Sequence, residues 1–247
     1  MRIVCLSAES ADICARIGAW EDVVAVSAYA DQAGLDHRPV VSGFSTGDAE
    51  RILAHRPDVV ITFSDVQAEI AAALIRAGAT VLATNQRTLA EIAATVRLVA
   101  RAVGRADAGE KLAVDFERQL RELRRTPVPR PRVYFEEWPD PPISGIAWVG
   151  ELIELLGGDD IFASRRGRSA SERTVRDVEV IASFPDFIFA SWCGKKVDLA
   201  SLRRRFSDTP AALAGRIVEL PSSDFLQPGP RLIEGARALQ RTLQDFA

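Results

Sequence analysis

Cysteine and histidine are scarce in this sequence of 247 residues, at three and two copies. Three cysteines supply no disulfide framework. Cys5 and Cys14 fall in apolar runs, where a small core residue is expected, and only Cys193 lies near a candidate site. Two histidines, His37 and His55, cannot build a His-rich centre, and neither Cys-x-x-Cys nor His-Glu-x-x-His spacing occurs. No metal site is therefore expected. No run approaches 18 apolar residues, which excludes a membrane-spanning helix. A basic excess is also missing: 31 basic against 34 acidic residues leave a net charge of −3, which argues against a nucleic-acid partner. The Gly-x-Gly-x-x-Gly fingerprint, the phosphate loop and the Gly-x-Ser-x-Gly elbow are absent as well.

What remains is an ordinary globular composition, with 47% hydrophobic and 26% charged residues. A chain of this length buries roughly 70–75% of its unfolded surface, enough to fold without staples. The first residues, Met1 to Leu6, run straight into a strand, and Glu9 and Asp12 interrupt any signal-peptide core. As given, the sequence reads as cytoplasmic. A trimmed mature form of a periplasmic protein would look the same.

Short continuous apolar runs at 2–6, 23–26, 58–63, 80–83, 132–136, 186–190 and 216–219 read as strands buried on both faces, as in parallel sheets covered by helices. Helical patterns separate them. Asp48 can cap a helix over 48–56, and residues 66–77 form an Ala-rich amphipathic helix ended by Gly78. Residues 88–125 are helical with a break at Gly104, and the final helix runs from Arg231 to Phe246.

The sequence also repeats itself weakly. Arg2-Ile-Val-Cys-Leu resembles Arg132-Val-Tyr-Phe-Glu, and Arg56-Pro57-Asp58 resembles Phe184-Pro185-Asp186, in the same order and at similar offsets. The expected plan is α/β, with two Rossmann-like lobes of mainly parallel sheet: an N-terminal lobe over 1–105, a linking spine helix over 106–126 and a C-terminal lobe over 127–247. A helix that merely covers one sheet is the alternative to the spine.

Ligands of open parallel sheets bind beyond the carboxyl ends of the strands. Those ends carry Ser7-Ala8-Glu9, Tyr29, Phe44 and Phe63-Ser64-Asp65 in the first half. In the second they carry Glu136-Glu137-Trp138, Trp148, Ser191-Trp192-Cys193 and Asp224-Phe225. Trp138, Trp148 and Trp192 offer flat surfaces for a bulky ring ligand, or else close the core. On the ligand reading, Trp192→Ala should weaken binding at least tenfold and leave the melting temperature nearly unchanged. Trp20 is expected to pack. Strand alternation sends Glu136 and Glu137 to opposite faces, so one of the two should enter the cleft. Glu9, Asp65 and Asp224 then make an acidic rim, which is solvated, accepts ligand hydrogen bonds or, as the least favoured reading, binds a metal through its carboxylates. Asp31 is expected to fix a loop. The basic run Ser164 to Ser169 is a solvated loop or meets an anionic ligand tail.

Several segments in order carry a family resemblance: Ser27-Ala-Tyr-Ala-Asp31, Val41-Ser-Gly-Phe44, Glu50 seven before Pro57, Arg132-Val-Tyr-Phe135, Leu155-Leu-Gly-Gly158, Phe184-Pro-Asp186 and Ser222-Ser-Asp-Phe225. Together they resemble the solute-binding proteins of vitamin B12 and iron-siderophore importers (the class III family), nearest its cobalamin-binding branch. The resemblance implies a ligand held between two lobes bridged by a rigid helix, with no turnover and no required cofactor. Its implied ligand is cobalamin or a related corrinoid. An iron siderophore, haem or another metal chelate is the alternative. The family's cleft tryptophan falls on Phe44. Read from the strand ends, the expected ligand-binding set is Tyr29, Phe44, Ser64, Asp65, Glu137, Trp138, Trp148, Trp192, Asp224 and Phe225. An ABC permease is the implied partner of a monomer, docked through Glu50 in the first lobe. In the second lobe the matching position is Val178, flanked by Asp177 and Glu179. Two other classes stay open: an α/β enzyme using Asp65, Glu137 or Cys193, and a carrier that works through its surface.

Overall fold

The computed structural model describes residues 1–30 and 36–244. Asp31 and Phe246, both named above, lie outside them. The chain divides into two compact units, residues 1–86 with 90–117 and residues 87–89 with 118–247.

The first unit contains β1 (Ile3–Cys5), α1 (Ala8–Arg16), β2 (Val23–Ser27), β3 (Val40–Ser42), α2 (Ala49–Leu53), β4 (Val59–Phe63), α3 (Ala68–Arg76) and β5 (Val81–Thr84). It also holds most of α4 (Leu89–Ala102) and the first part of α5 (Ala106–Leu123). Its five strands pair in parallel in the order β3-β2-β1-β4-β5. The central apolar runs become buried strands as expected, every residue of β4 being buried, whereas the edge strand β5 is only partly covered and exposes Ala83. The edge strand β3 has three residues, too short to signal itself in sequence.

Helix ends follow local chemistry. The Asp48 carboxylate accepts from the Glu50 amide at 2.9 Å and caps α2. That helix stops at Leu53, short of the expected residue 56, because Arg56 turns left-handed at φ 48° before Pro57. The helix expected over 66–77 starts later, since residues 65–67 form a 3-10 turn. Gly104, at φ 72°, separates α4 from α5. Gly109 permits the close crossing that follows: a Cβ there would lie 2.1 Å from the Ala100 Cβ.

The second unit contains the end of α5, β6 (Arg132–Pro139), β7 (Pro142–Ser144), α6 (Ala147–Leu155), β8 (Asp159–Asp160), α7 (Asp177–Ala182), β9 (Phe187–Ala190), α8 (Leu199–Arg205), α9 (Pro210–Leu213), β10 (Ile217–Glu219), α10 (Ser222–Phe225) and α11 (Leu232–Gln244). Strands β10, β9 and β6 are parallel, and β8 runs parallel along the start of β6. The hairpin partner β7 is antiparallel and was not expected. Tyr134, Ile188, Trp192, Phe206 and Ile217 belong to its core. Among the described residues no helix is long and apolar enough to cross a membrane.

The sequence repeat has a structural counterpart. In the first unit the Arg2 amide donates to Asp58 Oδ2 at 2.7 Å and the Asp58 amide returns a bond to the Arg2 carbonyl at 2.8 Å. In the second, Arg132 and Asp186 repeat this at 2.8 and 2.7 Å. Phe184, like Arg56, has positive φ before its proline. The aspartate of each Pro-Asp pair therefore pins a strand start, beyond the proline's role in stopping the helix.

Candidate ligand-binding faces

In the first unit, the carboxyl ends of β1 to β4 bring together Ser7 to Glu9, Tyr29, Phe44 and Ser64 to Asp65. Tyr29 and Phe44 are 45% and 40% exposed. Their rings meet edge to face at 6.1 Å. Two large aromatics left partly in water are costly unless something covers them. Asp65 is exposed and Ser64 is half-buried.

Sequence reasoning missed the residue that organises this face. Gln67 is buried, and its amide nitrogen donates to the Leu6 carbonyl at 2.7 Å and the Phe44 carbonyl at 2.8 Å. Its oxygen accepts from the Phe63 amide at 2.9 Å. One side chain thus ties the ends of β1 and β4 to the loop bearing Phe44. The 3-10 turn at 65–67 is what aims it inward. Ser64, one residue past β4, sits at φ 58° and ψ −177°, a region almost reserved for glycine.

Glu9 is not the solvated rim residue expected above; it is 96% hidden, with 4% exposed. One carboxylate oxygen, Oε1, finds no hydrogen-bond partner among the described residues. Desolvation pushes its acid up to about 7, against hydrogen bonds from Ser7 and its own amide, and the nearby Asp12 charge adds to the rise. Asp12 itself pairs with Arg16 at 2.9 Å.

In the second unit, strand alternation separates the two glutamates of β6 as expected. Glu136 is fully buried, accepting from Arg205 at 3.0 and 3.1 Å, from the Trp192 indole at 3.2 Å and from the Tyr134 hydroxyl at 3.2 Å. Burial pushes its acid up and Arg205 pulls it back only in part. Arg205 is shared with Asp177 at 2.6 Å. Glu137 is half-buried and forms a forked pair with buried Arg173 at 2.6 and 3.1 Å. Neither arginine was singled out in the sequence.

Three expected ligand walls belong to the interior instead. Trp192 is 4% exposed and part of the core. Trp192→Ala should therefore unfold this unit rather than spare its melting temperature. Trp148 is 2% exposed on α6, whose surface is buried nearly all round, and its indole donates to the Phe225 carbonyl at 2.8 Å. Phe225 is itself fully buried against Phe135. Trp148 and Phe225 sit on α6 and α10 and Trp192 just after β9, each with its ring turned into the interior. Trp138 differs: it is half-buried, and Lys195 lies over its ring. Asp224 is half-buried and accepts from the Ser223 hydroxyl. Trp20 packs as expected, with Arg38 over its ring.

The basic run is not simply solvated. Arg165 pairs with Glu179, and Arg166 with Asp160 and Glu154. Arg165 and Arg176 hold the Glu179 carboxylate down to about 2. Glu179 is thus engaged inside its own unit, Val178 beside it is 62% exposed, and Glu50 on α2 is exposed. Cys193 is exposed, and desolvation together with the Glu137 charge raises its thiol, the wrong direction for a nucleophile. Among the described residues no group of three or more His, Cys, Asp or Glu side chains could hold a metal ion.

A family model described as "Periplasmic binding protein" matches residues 3–223. The vitamin B12-binding protein of Vibrio cholerae serotype O1 is 30% identical over 199 residues, covering 77% of this chain and 70% of that protein. A periplasmic heme-binding protein from Roseiflexus sp. RS-1, solved in apo form, superposes with a TM-score of 0.83 at 26% identity, covering 99% and 98% of the two chains. The periplasmic vitamin B12-binding protein of Vibrio cholerae superposes with a TM-score of 0.81 at 24% identity, covering 99% and 96%. Duplicated units with parallel sheets, aromatic side chains at their carboxyl ends and a match over most of the length lead to one assignment: the chain belongs to the periplasmic binding protein family, the substrate-binding proteins of ABC importers.

Proposed function

We propose that the chain captures cobalamin or a related corrinoid, without transforming it, and delivers it to an ABC permease from the periplasmic side of the membrane. The observation that carries this reading is the exposed Tyr29–Phe44 pair beside strand ends tied down by Gln67. Flat apolar rings of this kind suit the face of a large macrocycle. Covering roughly 100 Å² of apolar surface is worth about 2.5 kcal/mol. The carboxyl-end face of the second unit adds Trp138, Asp224 and the Glu137–Arg173 pair. The similarity to vitamin B12-binding proteins supports the corrin ring. Glu50 would serve a permease; the Glu179 carboxylate is already spent on Arg165 and Arg176.

A second reading, haem or another metal chelate, is favoured by the fold's likeness to heme-binding proteins and by the same aromatic pair. Spectral titration separates the two. The expected result is a saturable 1:1 change with cyanocobalamin, at a dissociation constant of about 1 µM or below. Saturation by haemin alone would transfer the proposal to the second reading. Saturation by neither would end both.

A further inference from the structure

Beyond β9 the chain turns through Trp192, Cys193, Gly194 and Lys195, closed by a bond from the Lys195 amide to the Trp192 carbonyl at 3.3 Å. Gly194 takes φ 65° there. The turn carries the Lys195 ammonium over two indoles at once, 5.6 Å from the ring centroids of Trp138 and of Trp192. A cation so placed is held by both ring faces and loses little freedom when it binds something else.

The ammonium forms no ion pair with the described residues. The two glutamates of the neighbouring strand β6 are already paired. Glu137, next to Trp138, gives both oxygens to Arg173. Glu136, which accepts the Trp192 indole, gives both to Arg205. Lys195 is thus paired with neither glutamate of β6. It stands at the carboxyl end of β9, beside the half-buried face of Trp138. An unpaired, oriented ammonium next to a flat aromatic surface matches a ring bearing an anionic side group, the ring covering the indole and the anion reaching the lysine.

We propose that Lys195 recognises an anionic appendage of the ring ligand, a phosphodiester or a carboxylate, and so determines which ring ligands this chain prefers. The inference rests on the ring-ligand reading above and adds to it the charge that the ligand must carry. Glu137 and Arg173 act as positioning residues here: by pairing with each other they keep the nearby acid from neutralising Lys195.

The test uses two matched pairs of ligands with the whole chain. Cobalamin carries the phosphodiester and cobinamide lacks it; haemin carries two propionates and its dimethyl ester carries none. Wild-type protein is expected to bind the charged member of one pair about tenfold more tightly, the effect of one charge-assisted contact. Which pair shows the preference identifies the source of the anion. The preference should shrink as salt is raised. It should vanish in Lys195→Gln and persist in Lys195→Arg, both with unchanged melting temperature. Saturable binding without preference inside either pair, or a preference that survives Lys195→Gln, overturns this inference and leaves the ring-ligand reading standing. No saturable binding of any of the four overturns both.

Discussion

The two units solve the same electrostatic problem in different ways. Each buries a glutamate near the carboxyl end of its leading strand, Glu9 just after β1 and Glu136 within β6. Glu136 is given a cation, a phenol and an indole, while Glu9 has an oxygen with no partner among the described residues. In the first unit the cost of burial is met by keeping the proton; in the second it is met largely by Arg205. The same fold plan, down to the matching Arg2–Asp58 and Arg132–Asp186 clamps, thus accommodates a buried acid either neutral or paired.

Removing Arg205 should have the largest effect and would make the second unit resemble the first. Arg205→Ala strands Glu136 without its cation and also frees Asp177. Breaking a buried pair from one side costs about 3–5 kcal/mol. Chemical denaturation should show that loss at neutral pH and a smaller one in acid, where Glu136 can take up a proton. The double variant with Glu136→Gln should recover part of the stability. Equal losses at both pH values would mean that Arg205 acts through packing alone.

Glu9 sets the next effect. Its folded value of about 7 lies above the usual 4.5, so between these values the folded chain holds a proton that the unfolded chain has released. The contribution of Glu9 to stability is therefore highest below about pH 4.5, falls as pH rises through about 7, and is level above that. A displacement from 4.5 to about 7 corresponds to about 3 kcal/mol. The groups that bear on it are Ser7 and the Glu9 amide, which lower it, and Asp12, whose charge opposes ionisation. Glu9→Gln should flatten this part of the pH profile and be the more stable protein at pH 8. An unchanged profile would show that Glu9 is ionised and solvated.

Gln67→Ala tests whether the first unit's face is held by one side chain. The substitution leaves the Leu6 and Phe44 carbonyls and the Phe63 amide without their partner, at a cost of about 2 kcal/mol. Because the Phe44 loop is released, affinity for the ring ligand should fall as well. A stability loss with full affinity would separate the strap from the ligand face.

These contrasts mark how far the sequence could be read. Seven of the strands were legible because continuous apolar runs of that length have few other fates; β3, β7 and β8, of two or three residues each, were not. Asp48 as a cap and Gly104 as a break were legible because their reasons are local. Trp148, Trp192 and Phe225 were misassigned because proximity to a strand end does not say whether the segment that follows turns a ring outward or into the interior. The partners of the buried groups were hidden for another reason. Glu136 and Arg205 are 69 residues apart, Glu137 and Arg173 are 36, and Gln67 and Leu6 are 61. Nothing in local periodicity records such pairings.

The smallest expected effect compares the residues that follow two corresponding strands, Ser64 after β4 and Ser191 after β9. Ser64 is held at φ 58° and ψ −177°, where a side chain costs about 1–3 kcal/mol; its hydroxyl returns only one long bond, from the Val66 amide at 3.3 Å. Ser191 is absent from the positive-φ residues, is fully buried, and its hydroxyl has no partner among the described residues. Ser64→Gly removes the clash at the cost of a more flexible unfolded chain, so stability should rise by up to about 1 kcal/mol. Ser191→Gly gains no backbone relief and adds the same flexibility, at about 0.5–1 kcal/mol, but it also removes a buried hydroxyl without a partner among the described residues, so the two effects offset and stability should change little. The denaturation midpoint should rise for Ser64→Gly and stay nearly fixed for Ser191→Gly. A Ser64→Gly midpoint that does not rise would mean that the strain at Ser64 is relieved elsewhere in its loop.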